Sequence, residues 1–210
     1  MTVKFLISIP TIIYKTSGIM VFARNRETAS SLCRAWRERE TVRKVYMAHV
    51  RHWPPYHQQG MSEGTIDLAL APSRTERIKW EITPVEKGGK ECRTFWRVFE
   101  DIDENPIVKE MPLNKSRNNV NGITLELHPL TGRTHQLRIH CAAVGSGIVG
   151  DSLYGDSPIA WVGDNSSVTQ SDDKQDSGIE PVKTLRLHAH RLSFPTKTGK
   201  RITFESPKPW

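Results

Sequence analysis

The stretch from Gly122 to Val144 constrains the fold more than any other part of this 210-residue chain, because its hydropathy period changes within a few residues. Gly122 to His128 alternates apolar with polar side chains, as a strand with one buried face does. Thr134 to Val144 carries Leu137, Ile139, Cys141 and Val144 in a helical pattern. The run between and across them is Leu130-Thr131-Gly132-Arg133-Thr134-His135-Gln136-Leu137-Arg138-Ile139-His140. It places two arginines and two histidines where a strand gives way to a helix. A helix N-terminus flanked by guanidinium groups favours an anionic group. On composition alone, a solvated basic face reads the same way.

The rest of the chain is mostly strand-like. Gly18 to Ala23 reads as a buried strand, since Ile19, Met20, Val21 and Phe22 form a continuous apolar run. Lys44 to Arg51, Gly64 to Leu70, Thr94 to Glu100, Arg186 to Phe194 and Arg201 to Glu205 read as further strands. Arg26 to Glu38 reads as a helix whose stripe is Ala29, Leu32, Cys33 and Trp36, with Arg34, Arg37 and Arg39 on its other face. Trp53-Pro54-Pro55-Tyr56 marks a loop. The sum is α+β: a mixed, mostly antiparallel sheet with flanking helices. Segments near 110–121 and 156–182 lack apolar periodicity and read as surface insertions. We divide the chain into a divergent segment, 1–14, and a core, 15–210. Phe5 to Ile13 is apolar but too short to span a bilayer, and Pro10 interrupts it. It also lacks the small-residue site of a cleaved leader.

Net charge narrows the partners. The formal charge is +7 and the pI about 9.5, which favours polyanions, nucleic acid before membrane. Cys33, Cys92 and Cys141 are odd in number and far apart, which argues against a disulfide framework and for an intracellular, reducing compartment, cytoplasm or organelle. Gly145 to Gly150 satisfies the G-x-G-x-x-G pattern, but a helix precedes it where a dinucleotide site needs a strand. His135, His140, His188 and His190 lack metal-ligand spacing.

Several elements together resemble the RluA-like pseudouridine synthases. The run Leu130 to His140 is similar, nearly letter for letter, to that family's signature. Gly150-Asp151-Ser152-Leu153-Tyr154-Gly155 resembles its Gly-Asp-x-x-Tyr-Gly element. Lys44-Val45-Tyr46-Met47-Ala48 resembles its Lys-x-Tyr-x-Ala strand, and Lys90 to Val98 its central strand. Arg186-Leu187-His188-Ala189 and Phe204-Glu205-Ser206-Pro207 resemble its closing strands. The order agrees from Thr16 to the C-terminus. The resemblance implies isomerisation of uridine to pseudouridine in structured RNA, tRNA or rRNA, by a monomer with no cofactor, no metal and no membrane partner. It implies that the target base is extruded into a pocket. Tyr46 would then stack on the uracil and assist proton removal, and Arg138 would pair with the catalytic aspartate. Arg34, Arg37, Arg39, Arg43, Lys44 and Arg133 are the candidate RNA-binding wall, with His135 and Gln136 beside them as supports.

One element departs from the pattern. The family carries His-Arg-Leu-Asp before Thr-Ser-Gly, and that aspartate is its nucleophile. Here Thr16-Ser17-Gly18 is present, but Pro10-Thr11-Ile12-Ile13 precedes it, so Ile13 holds the aspartate slot. An isoleucine has no lone pair with which to attack a sugar and no charge to stabilise a cation. Two explanations stand: residues 1 to about 14 come from a mis-assigned start, which the otherwise matching site favours, or the chain is an inactive relative that still binds RNA.

Overall fold

A computed structural model describes residues 7–8, 15–38, 41–51, 62–99, 123–155, 184–196 and 198–207. Ile13, Arg39, the loop at 53–56 and both insertions lie outside the described residues.

The expected mixed, mostly antiparallel sheet forms the body of the fold. In chain order the strands are β1 (Ile7–Ser8), β2 (Ser17–Gly18), β3 (Phe22–Ala23), β4 (Arg43–Val50), β5 (Glu63–Asp67), β6 (Leu70–Pro72), β7 (Trp80–Ile82), β8 (Arg93–Val98), β9 (Ile123–Pro129), β10 (Leu187–Pro195) and β11 (Arg201–Glu205). The helices are α1 (Arg26–Arg37) and α2 (Gln136–Ala143). Six strands run β11-β10-β4-β9-β8-β5, each antiparallel to its neighbour, and β2 joins β10 in parallel.

Strand alternation sorts the residues of β4 between two faces. Tyr46, Ala48 and Val50 share a core with Leu125 and Leu127 of β9, Trp96 of β8, Ile66 of β5 and Leu187 of β10. Leu137, Cys141 and Val144 press on this core from α2. The far side of α2 packs Ile139 and Ala142 against Leu70, Cys92 and Tyr154, with Trp80 and Ile82 of the β6–β7 hairpin alongside. So α2 is enclosed on both sides, and every residue from Gln136 to Ala142 is buried. The opposite face of the sheet is more polar: Met47 pairs with Glu126, whose carboxylate holds Arg97 at 3.1 and 3.0 Å and His128 at 2.6 Å.

The helix expected at 26–38 forms, capped by the Asn25 carboxamide, which accepts from Thr28 N at 2.8 Å. Two expectations need correction. Gly18 to Ala23 is not one buried strand: it splits into β2 and β3, with Met20 47% and Phe22 42% exposed. The break follows from Gly18, whose φ of +99° lies in the left-handed region; the chain turns there instead of extending. Gly64 to Leu70 likewise divides into β5 and the start of β6. The β6–β7 hairpin had no strong alternation to announce it.

Gly18 also approaches β10 too closely for a side chain. A Cβ there would stand 2.3 Å from the Ala189 carbonyl oxygen. We therefore predict that Gly18→Ala lowers stability by roughly 2 kcal/mol or more, strain and collision combined. Chemical denaturation checks this; an unchanged midpoint would refute the docking of β2 on β10.

Candidate active site

The buried helix α2 carries three polar side chains into the interior, and each must find partners there. Arg138 is 4% exposed. Its Nε and Nη2 donate to the two oxygens of Asp151 at 2.8 and 2.5 Å. The guanidinium carbon lies 5.1 Å from the centre of the Tyr154 ring, a cation–π contact. Asp151 also accepts from Leu153 N and Tyr154 N at 2.9 and 3.1 Å, which folds 151–155 into a tight turn. Burial opposes ionisation of Asp151, but Arg138 and these two amides outweigh it and hold the carboxyl below its ordinary range.

Gln136 and His140 form a second network. Gln136 Nε2 donates to Arg93 O and Thr94 Oγ1, both at 2.9 Å, and its Oε1 accepts from Thr131 Oγ1 at 2.8 Å and Arg133 N at 3.0 Å. His140 Nδ1 meets Thr94 Oγ1 at 2.9 Å, and Nε2 meets Leu68 O at 3.0 Å. A carbonyl only accepts, so Nε2 carries the proton and Nδ1 receives one from Thr94. Burial drives the His140 pKa down to about 4, keeping it neutral. Gln136 therefore supports strand β8 and has no amide group left for RNA.

His135 stands at the start of α2 with a left-handed φ of 56°. Its Nδ1 meets the Tyr154 hydroxyl at 2.9 Å, and that hydroxyl accepts from Trp80 N at 2.9 Å. Burial, then the charge of Arg138, lower its pKa.

Tyr46 sits on the central strand, 5% exposed, on the α2 face. Burial pushes its hydroxyl up to about 12, so the phenol is neutral at physiological pH. In this state the side chain is a neutral phenol, not a resident phenolate.

The candidate cations do not all converge. Arg43 and Lys44 open β4 and line a cleft of about 1070 Å³. Lys44 Nζ donates to Thr131 O at 3.4 Å, tying β4 to the turn before α2, and burial lowers its pKa. Arg133 is half-buried and donates from Nε to Glu91 O at 3.1 Å. Arg34 and Arg37 are exposed on α1 and do not line that cleft. Asp151 as the partner of Arg138 was not foreseen: the resemblance implied a pair with the aspartate whose slot Ile13 holds. Among the described residues, no three His, Cys, Asp or Glu come together as a metal site.

This arrangement can be set beside known proteins. A sequence profile described as RNA pseudouridylate synthase matches residues 14–143. The chain belongs to that family. A Synechocystis relative named as an uncharacterized RNA pseudouridine synthase is 32% identical across 92% of this chain and 47% of its own length. A Zymomonas mobilis relative with the same description is 31% identical across 95% and 74%. The mouse RNA pseudouridylate synthase domain-containing protein 1 is 32% identical across 94% and 53%. The chain thus spans about half the length of two of these three relatives. The solved human RNA pseudouridylate synthase domain containing 1 aligns with a TM-score of 0.65 and 28% identity, covering 98% of this chain and 70% of that one.

The pair and the histidine make distinct predictions. Asp151→Ala strands a buried guanidinium and should cost about 3–5 kcal/mol, whereas a double Arg138→Met, Asp151→Leu replacement should cost less. Denaturation midpoints distinguish them, and equal losses would contradict the account. His140 is depressed from 6.5 to about 4, so the unfolded chain binds the extra proton first as pH falls. Its stabilisation should be complete above pH 6.5 and fall by about 3 kcal/mol on acidification to pH 4. His140→Gln should flatten that part of the stability–pH curve. Asp151 is depressed too, so its share should hold above about pH 4 and disappear only below.

Proposed function

We propose that this core is an RNA pseudouridine synthase acting on structured tRNA or rRNA, and that the chain with Ile13 binds RNA without completing the isomerisation. One observation carries the reading: Tyr46 lies in the central strand beneath the helix that holds the buried Arg138, where flanking strands and turns resemble the family pattern. An extruded uridine would lie with its base against the neutral ring of Tyr46. Arg138, fixed by Asp151, would orient a carboxylate entering from the slot at position 13, with Nη1 as the nitrogen outside its present pair. The stiffness of that ion pair matters, because a misplaced orienting group loses effective molarity steeply. Ile13 supports a second reading, a pseudoenzyme whose role is RNA binding alone. Three free cysteines fit a reducing compartment, and we extend the proposal to such a location.

The test restores the carboxylate. Ile13→Asp in the full chain should form pseudouridine in tRNA or rRNA transcripts, read by nucleoside mass spectrometry, while the parent forms none. Adding Tyr46→Ala or Arg138→Met to the restored chain should lower the yield at least a hundredfold, on the order expected for loss of a positioned catalytic group. A restored chain that folds and binds RNA yet forms no product would sink the site assignment and leave the pseudoenzyme reading.

A further inference from the structure

The cleft at the start of β4 lies mainly on the side of the sheet away from Tyr46. Its liners from the strands include Arg43 and Val45 of β4, His128 of β9, Arg93 of β8, and Arg191 and Ser193 of β10. Their register places them with Val45 and not with Tyr46. The cleft also reaches Lys44 of β4 and Thr131 of the turn that enters α2, which are joined by the Lys44 Nζ–Thr131 O hydrogen bond. The cleft is therefore continuous with the candidate active site but distinct from it.

Its charge is one-sided. Arg43, Lys44, Arg93, Arg191 and Arg201 line it, against the carboxylates of Asp67 and Glu91. Arg93 is paired with Asp67, and Arg191 with Glu205 at 2.6 Å. The remaining cations are not matched by carboxylates among the described residues. Arg201 Nη1 donates to Ser193 O and Oγ at 3.2 and 3.3 Å, which steadies its stem on the cleft wall. Lys44 donates to a backbone carbonyl. Arg43 and Arg201 rise from strands separated by β10 and are offset by two residues in register, so their backbones stand roughly 12 Å apart, two strand spacings across and two residues along. One phosphate is too small to use both backbone positions fully, whereas a chain of phosphates follows such a track. Across the cleft, Val85 and Leu130 are 53% and 50% exposed and offer apolar contact to sugars and bases.

We infer that this cleft is an RNA-backbone track: it takes the phosphodiester strand flanking the target nucleotide and passes it round the end of the sheet toward the α2 side. The inference rests on the proposed action on RNA and adds a surface that Tyr46 and Arg138 do not form. Arg201, Arg43 and Lys44 are its phosphate contacts. Affinity through it would be electrostatic and salt-dependent, with little sequence preference.

The experiment measures binding of the full chain to labelled tRNA and to labelled oligouridylate over a range of salt concentrations, by fluorescence anisotropy. Circular dichroism checks each variant's fold. Arg43→Gln and Arg201→Gln should each weaken binding about tenfold at low salt and reduce the slope of log K against log salt by about 1. Arg43→Lys and Arg201→Lys should keep the slope. Arg77→Gln, an exposed charge away from the cleft, should leave both readouts unchanged. Ultraviolet cross-linking should label peptides that contain Leu130 or β11. If the parent binds RNA but the cleft variants keep the parental slope, the track is wrong and the reading of the α2 side survives. An equal loss for Arg77→Gln would also overturn it, since diffuse charge would then explain binding. A parent that binds no RNA at low salt removes both the track and the proposed function.

Discussion

The ion pair between Arg138 and Asp151 is the constraint around which the rest of this site is arranged. A guanidinium held at 4% exposure in an enclosed helix requires a carboxylate with good geometry. Asp151 supplies it only because 151–155 turns tightly. Gly155 permits that turn: a Cβ there would meet the Asp151 carbonyl oxygen at 2.4 Å. The turn in turn presents Tyr154 to Arg138 and to His135. Remove the charge pair, and the helix and the turn lose their common partner, while the β6–β7 hairpin is held to the same turn through Trp80 N and the Tyr154 hydroxyl.

The second network of α2 buries its polar groups with each one paired. The chain Thr131–Gln136–Thr94–His140–Leu68 ties the turn before α2 to strand β8 and to the segment leading into β6. Networks of this kind rigidify an interior when every member is paired and weaken it when one is not. The neutral state of His140 is part of that satisfaction. So is the neutral state of Tyr46, which gives the proposed base-stacking surface no charge to desolvate.

Much of this was legible from residues alone. The α+β class followed from alternation, and α1 from its stripe and the polar residues opposite. The importance of Leu130 to His140 showed in its density of polar side chains at a strand–helix junction. What stayed hidden has physical reasons. Helix α2 has no exposed face, so a pattern that looked like a basic surface is interior. Burial of Arg138 depends on a partner 13 positions away, and no periodicity relates the two. The break at Gly18 depends on a carbonyl of β10 that no local window contains. Arg201 and Arg191 become cleft residues only through the pairing of β10 with β4 and β11.

The docking of β2 on β10 has a consequence for how the site is made. Ser17 Oγ contacts His188 Nδ1 at 2.9 Å across a sequence separation of 171, and Ile19 N donates to Ala189 O at 2.9 Å. The residues just after the position-13 slot are therefore held by β10, far downstream in the chain. Loop closure over that separation has to precede any reward from the contacts. Local elements such as α1 and the β6–β7 hairpin can form while the chain is still being synthesised, but Ser17 and Gly18 gain their partner only once β10 has been made. Until then a nascent chain would hold its earlier strands without the anchor beside the position-13 slot.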